Sequence, residues 1–340
     1  MQTRYIGSAA LGRMVRRRGI PEFLRGLAGY IRDDYLRWDA FEKTPRLASH
    51  TPSGVIELMP ATDGRLYAFK YVNGHPGNAA LGLPTVMAFG VLADVATGYP
   101  LLLSEMTLLT ALRTAATSAL AASAMVRAGA RTMALIGNGA QSEFQVLAFH
   151  AMLGVDQIRA YDVDVRATHR LIANLAGVAG LRVLPAASVE DAVRGADILT
   201  TATADKRRAA VLVRQQVPTG AHINAIGGDC PGKTELDPDV LRDARIIVEF
   251  EPQTRVEGEI QQLAPDVPVA ALSDVLAQRA SGRGSDAEIT IFDSVGFALE
   301  DYSALRYIAD LDRAEPESRE LDLVPELRDP RNLYAALGVG

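Results

Sequence analysis

Met133-Ala134-Leu135-Ile136-Gly137-Asn138-Gly139-Ala140-Gln141-Ser142 is the stretch that decides the fold of this chain. The apolar run 133–136 reads as a short buried strand, and it gives way at once to a glycine turn that opens a helix over 141–153. Gly137 permits the tight turn, and Gly139 lets backbone approach a pyrophosphate that a Cβ would block. The helix start, at Ala140 and Gln141, offers free N–H groups and the positive end of the helix dipole to phosphate. Ser142 stands where the usual fingerprint has a third glycine, and it is still small enough for close packing. Glycine pairs of this kind also occur in ordinary loops, so the context has to carry the reading. A second strand, 158–161, ends in Asp162, 20 residues beyond Ser142, where an acid accepts from the ribose 2′-hydroxyl of a dinucleotide. A carboxylate there repels a 2′-phosphate and favours NAD over NADP. The plainer alternative is that Asp162 only starts a turn with Asp164. Thr203, after a later strand, would border the same crevice.

Outward from this stretch, strands and helices alternate. Further strands are expected at 181–184, 198–201, 221–226 and 246–250, with helices at 166–175, 189–193 and 240–244, and 289–292 as an edge strand. That rhythm is the sequence form of a Rossmann-type, doubly wound parallel sheet. The first third differs. Phe23, Leu24, Leu27, Ile31 and Tyr35 share one face of a helical period over 21–43. Strand-like runs follow at 55–59, 66–72, 85–94 and 99–104, the last two joined at Thr97-Gly98, with no helix between them. A mostly antiparallel sheet is expected there. An Ala/Leu-rich helix over 108–128 leads away from it, 298–311 reads as another helix, and the C-terminal end looks irregular.

Composition narrows the function classes. The 340 residues carry 35 Lys+Arg against 41 Asp+Glu, a net charge of −6, so the electrostatic footprint of a nucleic-acid binder is missing. The length exceeds what one core usually supports, and a 48% hydrophobic fraction excludes a disordered chain. The single cysteine, Cys230, excludes an intramolecular disulfide and a cysteine-cluster zinc site, and no metal is expected. No run approaches the roughly 20 apolar residues of a membrane span, since the closest, 106–126, is interrupted by Arg113. No signal-peptide pattern opens the chain, so a soluble cytoplasmic protein is the expectation. Only four of the basic residues are lysines: Lys43, Lys70, Lys206 and Lys233.

A second cluster runs from His222 to Lys233, with Asn224-Ala225-Ile226-Gly227-Gly228-Asp229-Cys230-Pro231 at its centre. It follows a strand whose C-terminal end faces the expected nicotinamide crevice. Gly227 and Gly228 give room for a ligand or a sharp turn, and Asp229 is presented at the mouth of the sheet, where a carboxylate can hold a substrate ammonium and act as its base. A turn cap before Pro231 is the plain alternative for Asp229, and simple burial is that for Cys230. Upstream, Arg46, Lys70 and Arg113 each occupy an apolar or uncharged setting, and Glu57 is the matching acid in an apolar strand. Together the cations could clamp a substrate carboxylate; singly, each reads as a solvated face or an internal ion pair. Periodicity does not bring the four together.

These residues lie in stretches that match a known family. Phe69-Lys70-Tyr71-Val72-Asn73-Gly74-His75-Pro76, Leu112-Arg113-Thr114-Ala115-Ala116-Thr117, the glycine loop, Gly227-Gly228-Asp229-Cys230-Pro231-Gly232-Lys233, Glu257-Gly258-Glu259-Ile260-Gln261-Gln262 and Phe292-Asp293-Ser294-Val295-Gly296 resemble the ornithine cyclodeaminase and mu-crystallin family, and within it the bacterial cyclodeaminases. The resemblance spans about Arg46 to Tyr307. It implies an α/β fold in which a Rossmann-type NAD domain, 130–296, is inserted into a mostly antiparallel substrate-binding and dimerisation domain, 1–129 with 297–340. It implies Arg46, Lys70 and Arg113 as substrate-carboxylate residues, Asp229 as catalytic acid/base, Glu57 beside the reacting centre, and Ser294 and Val295 around the distal part of the substrate. Thr85, Ala140, Gln141, Asp162, Thr203 and Lys233 fall at NAD positions, with Gly137, Gly139 and the strand end Asn224-Ala225-Ile226-Gly227 beside them.

The reaction so implied takes hydride from Cα of L-ornithine onto NAD, closes a ring by attack of the δ-amine, expels ammonia and returns the hydride to give L-proline. A homodimer with a small-molecule substrate and neither nucleic acid nor membrane as partner is the expected assembly. Rival readings are a lysine cyclodeaminase, an amino-acid dehydrogenase or a ketimine reductase with the same fold, and a non-enzymatic nucleotide- and ligand-binding protein. Of the four lysines, Lys70 and Lys233 fall in the implied site, and Lys43 and Lys206 read as surface.

Overall fold

The structure, a computed structural model, describes residues 2–204 and 208–338; Lys206 lies outside them. Strand β1 (Thr3–Ile6) and helices α1 (Ser8–Arg18) and α2 (Ile20–Leu36) precede β2 (Leu47–Thr51) and three strands that mix core and outer residues: β3 (Gly54–Thr62), β4 (Leu66–Gly74) and β5 (Val86–Asp94). With β6 (Pro100–Glu105) and the C-terminal β17 (Arg319–Leu321) they form a seven-stranded sheet in the order β17-β1-β6-β5-β4-β3-β2, in which β2 is exposed along its whole length. All its pairings are antiparallel except β1 with β6. The period of two sends Val55, Glu57, Met59, Ala68, Lys70 and Val72 to the buried face, while Ile56, Leu58 and Tyr67 point outward and stay exposed. Two charged residues therefore stand among core positions because their strands leave them no other side.

The buried face is covered by α10 (Ala298–Ala314) and α3 (Thr107–Met125), and α2 packs on those two helices. Phe23 of α2 and Tyr307 of α10 meet edge to face with ring centroids 5.1 Å apart. Helix α3 is buried nearly all round, because it also packs against the second sheet, which explains the apolar run around Arg113. Among the described residues no helix is long and apolar enough to cross a membrane.

The second sheet is wholly parallel, in the order β15-β14-β16-β12-β10-β7-β8-β9. Its strands are β7 (Thr132–Ile136), β8 (Gln157–Tyr161), β9 (Arg182–Pro185), β10 (Ile198–Thr201), β12 (His222–Ala225), β14 (Ala244–Val248), β15 (Ala270–Ala271) and β16 (Ile289–Asp293). Helices α4 (Ser142–Leu153), α5 (Val165–Leu175), α6 (Val189–Val193), α7 (Pro238–Arg242), α8 (Glu251–Glu257) and α9 (Leu272–Leu276) intervene, and β11 (Arg208–Leu212) pairs with β13 (Thr234–Leu236) in a separate two-stranded ribbon. The expected edge strand at 289–292 is instead interior, between β14 and β12. All five of its residues are buried, as a strand covered on both faces requires. Strands β1, β2 and β17 have no strong apolar alternation, and their pairing comes from the sheet they join. Lys43 is not a free surface lysine either, since its Nζ donates to the carbonyls of Trp38 and Phe41 at 2.7 Å and sits over the Trp38 ring.

His222, in the middle of the parallel sheet, is fully buried, with Nδ1 3.0 Å from Thr290 Oγ1 and Nε2 without a partner among the described residues. Burial, aided by the Arg283 charge, pushes its pKa down to about 3, so the ring is neutral in the folded protein. In the unfolded chain it charges near pH 6.5, so its contribution to stability is present above that pH and is lost on acidification toward 3. The His222→Leu variant is accordingly expected to gain on the parent as pH falls from 6.5 to 4.5, read as the difference between their thermal midpoints; a constant difference contradicts it.

Candidate active site

The turn after β7 is shaped by its neighbours. Gly137 has φ +93°, its N–H donates to Tyr161 O at 2.9 Å, and a Cβ on it would lie 2.5 Å from the carbonyl oxygen of Ala202. Only glycine fits there. Over Gly139 the space is open: among the described residues nothing lies within 4 Å of where a Cβ would stand. The N–H groups of Gly139, Ala140 and Gln141 make no hydrogen bond within the described residues, and α4 starts directly behind them. Gln141 Oε1 and, near the end of β12, Asn224 Oδ1 are buried polar atoms without partners among the described residues. Asp162 accepts from the N–H groups of Asn138 at 2.6 Å and Asp164 at 2.8 Å, which ties its carboxylate to the mouth of the turn. An open cradle, unspent donors at a helix start and a fixed acid fit a dinucleotide.

Lys233 forms one wall of the mouth. Its buried ammonium donates to Thr203 O at 3.0 Å and meets Asp229 Oδ1 at 3.3 Å, while more than half of the Asp229 side chain stays exposed. Glu235 in turn accepts from Thr203 N at 2.8 Å. The room that Gly227 and Gly228 leave is taken by protein: the Glu235 carboxyl lies against Gly227, and Glu259 Oε1 would be 2.5 Å from a Cβ on Gly228. Glu259 accepts from the N–H groups of Glu235 and Leu236, and Asp293 from those of Glu259 and Ile260. Burial, together with the neighbouring Asp293, pushes the Glu259 pKa up to about 8, and burial takes Asp293 to about 7. Cys230 sits half-buried beside Asp229.

The three cations converge from different elements. Arg46, ahead of β2, donates from Nη1 to Glu57 Oε2 at 3.1 Å and from Nη2 to the carbonyls of Val295 and Gly296 at 2.5 and 2.7 Å, and its Nε lies 3.0 Å from Glu257 Oε2. Burial opposes its charge, but Glu57, Glu257 and Asp229 more than offset this and raise its pKa. Lys70 on β4 is 1% exposed and contacts both oxygens of Asp301 on α10, at 2.9 and 2.8 Å. Burial and the Arg113 charge lower its pKa to about 8. Arg113 on α3 donates from Nε to Asp301 at 3.0 Å and from Nη1 to Glu300 at 2.6 Å, leaving Nη2 without a partner among the described residues. Ser294 Oγ and Val295 N both donate to the buried Glu249, at 2.5 and 3.0 Å. Burial raises the pKa values of both Glu249 and Glu300, with Glu300 adding to the rise at Glu249 and Asp301 to that at Glu300.

Arg46 with Glu57, Lys70 with Arg113, Ser294 with Val295, and Asp229 with Lys233 are thus brought together in interlocking groups. Thr85 lies in the turn before β5, its carbonyl accepting from His75 N. The acids Glu249, Glu257, Glu300 and Asp301 have no role in the sequence reading. A signal for them existed: three cations in apolar settings demand buried acids, and Glu249, Glu300 and Asp301 sit in apolar runs of their own.

The family model described as ornithine cyclodeaminase/mu-crystallin matches residues 14–315. An ornithine cyclodeaminase of Brucella melitensis is 58% identical over 325 residues, covering 96% of this chain and 90% of that protein. A solved lysine cyclodeaminase, studied for recognition of L-lysine, L-ornithine and L-2,4-diaminobutyric acid, superposes with a TM-score of 0.93 at 29% identity, over 99% of this chain and all of that one. An archaeal alanine dehydrogenase dimer with bound NAD superposes with a TM-score of 0.86 at 29% identity, over 95% of this chain and all of that one.

Because Asp301 serves both Lys70 and Arg113, the Asp301→Asn variant is expected to lose about 3–5 kcal/mol of stability, as a buried charge left unpaired does. The exposed pair Arg242–Asp239, broken by Asp239→Asn, should cost less than about 1 kcal/mol. Urea unfolding of the two variants beside the parent checks the contrast; equal costs contradict the buried network.

Proposed function

The chain belongs to the ornithine cyclodeaminase/mu-crystallin family, and from that premise we propose that it converts L-ornithine to L-proline and ammonia with NAD as a cofactor that is regenerated in each turnover. The observation that carries this reading is a surplus of acid at one place: Glu57, Glu257, Glu249, Glu300 and Asp301 gather around Arg46, Lys70 and Arg113, with Asp229 at the mouth. A diamino acid brings one carboxylate for the cations and two ammonium groups for the acids, and so matches that balance.

When bound, NAD supplies the hydride acceptor and, at the end of the cycle, the hydride donor. Gly137, Gly139, Ala140 and Gln141 would cradle its phosphates, Asp162 its ribose, and Thr203, Lys233 and the strand end Asn224-Ala225-Ile226-Gly227 its inner half. The free Nη2 of Arg113, together with Lys70 and Arg46, would receive the substrate carboxylate, and a planar guanidinium suits that two-oxygen partner. Ser294 and Val295, fixed by Glu249, would border the distal part of the substrate. Asp229, exposed yet held by Lys233, is free to take a proton from the α-ammonium and give it back, with Glu57 beside the reacting centre. The reaction also needs water kept from these groups, since water would hydrolyse an imine.

The division into 1–129 with 297–340, and 130–296, belongs to the same reading. Its support is that the seven-stranded sheet draws on 3–105 and 319–321, and the parallel sheet on 132–293. A homodimer is proposed on the exposed apolar outer face of the first sheet, with Leu47, Ile56, Leu58, Tyr67 and Phe89, and on the dimeric relative. The proposed location is the cytoplasm, where the cofactor is held.

Incubation with L-ornithine and NAD is expected to give proline and ammonia in equal amounts with no net NADH; net NADH points to a dehydrogenase, and no product to a binder. The Asp229→Asn variant is expected to bind NAD as the parent does but to lose at least about 100-fold in proline formation. Near-normal turnover by that variant overturns the assignment.

A further inference from the structure

Glu257, at the end of α8, is 6% exposed and lies in the same cluster as Arg46, Glu57 and Asp229, yet its carboxyl accepts no hydrogen bond from the described residues. Its one charged contact, Oε2 to Arg46 Nε at 3.0 Å, lacks hydrogen-bond alignment, whereas Glu57 accepts a directed bond from Arg46 Nη1. A donor aimed at a carboxylate favours its ionised form. Of the two glutamates on Arg46, Glu57 is engaged by a directed bond, and Glu257 is the one for which taking a proton breaks no hydrogen bond among the described residues.

The proposed reaction needs such a group. L-Ornithine enters with both amines as ammonium at neutral pH. Before hydride can leave Cα, the α-ammonium must give up one proton, and Cα is then oxidised to an iminium carbon as the cofactor is reduced. Before the δ-amine can bond to Cα, the δ-ammonium must give up a second. The ring nitrogen then passes a proton to the α-nitrogen, the bond from Cα to that nitrogen breaks, ammonia leaves, and hydride returns to Cα. Proline nitrogen and ammonia emerge neutral and each takes back one proton, so the products are zwitterionic proline and ammonium. Between the first loss and the last return, two protons reside on the enzyme, and Asp229 holds only one. Resting on the reading above, we propose that Glu257 holds the second proton, the one removed from the δ-ammonium, while Asp229 holds the first.

The charged groups facing Glu257 are Arg46 ahead of β2, Glu57 on β3 and Asp229 after β12; Asp293 stands behind Gly258, and on its own helix Arg255 is paired with Glu251. Burial raises the Glu257 pKa, Arg46 lowers it, and Glu57 and Asp229 raise it again, to about 7, where a carboxyl both accepts and returns a proton at neutral pH.

Single-turnover stopped-flow at 340 nm with NAD-loaded enzyme and L-ornithine, followed by quantification of proline, separates the steps. In Glu257→Gln the first hydride transfer is expected within about threefold of the parent, proline formation is expected to fall about 100-fold, and reduced cofactor should accumulate. Glu257→Asp, which keeps a carboxyl, should recover most of the proline rate. NAD affinity and thermal midpoint, measured alongside, establish that the variants are folded and loaded. Equal loss of both phases, or proline formation within twofold of the parent, overturns the proposal. Absence of proline from the parent enzyme instead overturns the reaction assignment on which it rests.

Discussion

Arg113 and Lys70 share Asp301, and the rest of the structure is arranged around that shared contact. Lys70 belongs to the antiparallel sheet, Arg113 to the helix between the sheets, and Asp301 to the C-terminal helix, so one carboxylate ties three elements together out of reach of water. Unpaired, either cation would be too costly to bury. Arg46 makes the corresponding link across to the parallel sheet, with Glu57 on one side and Glu257, Val295 O and Gly296 O on the other. Positive charge is thereby fixed at the junction of the two sheets before any substrate arrives. Preorganised charge of this kind is what a site needs to receive a carboxylate without rearranging.

The acids around these cations outnumber them, and burial decides how each one behaves. Burial and the nearby Glu300 raise the Glu249 pKa, burial and Asp301 raise that of Glu300, and Glu57 accepts a directed bond from Arg46. The surplus turns a static ion-pair cluster into a site that handles ammonium groups, and it grades the carboxyls by their readiness to hold a proton. The nucleotide side has a different logic. There the protein leaves space and unspent N–H donors, at Gly139 through Gln141, and fixes only the acid that would orient the ribose.

Much of this fold was legible in the chain. The glycine turn after 133–136, Asp162 at the next strand end and the strand–helix rhythm identify the parallel sheet because each is a local feature with a local cause. Strands β1, β2 and β17 were not legible, since segments this short, two of them at the sheet edges, carry little pattern of their own. The interior place of β16 was missed because a four-residue apolar run reads alike at an edge or at a centre. At the site, Arg46, Lys70 and Arg113 stood out as charges in apolar surroundings. Their partners Glu257, Glu300 and Asp301 did not, because pairing across as many as 231 residues of sequence leaves no trace in spacing. Gly227 and Gly228 showed the limit of reading glycines as ligand room, for the space beside them holds Glu235 and Glu259.

The claim on which everything else turns is that the hydride taken from Cα returns to the same carbon within one site. L-Ornithine deuterated at Cα, turned over in the presence of excess unlabelled NADH and analysed by mass spectrometry, measures this directly. Proline carrying the full deuterium label at its α-carbon is the predicted result. Proline with protium there, drawn from solvent or from the added NADH, would contradict it.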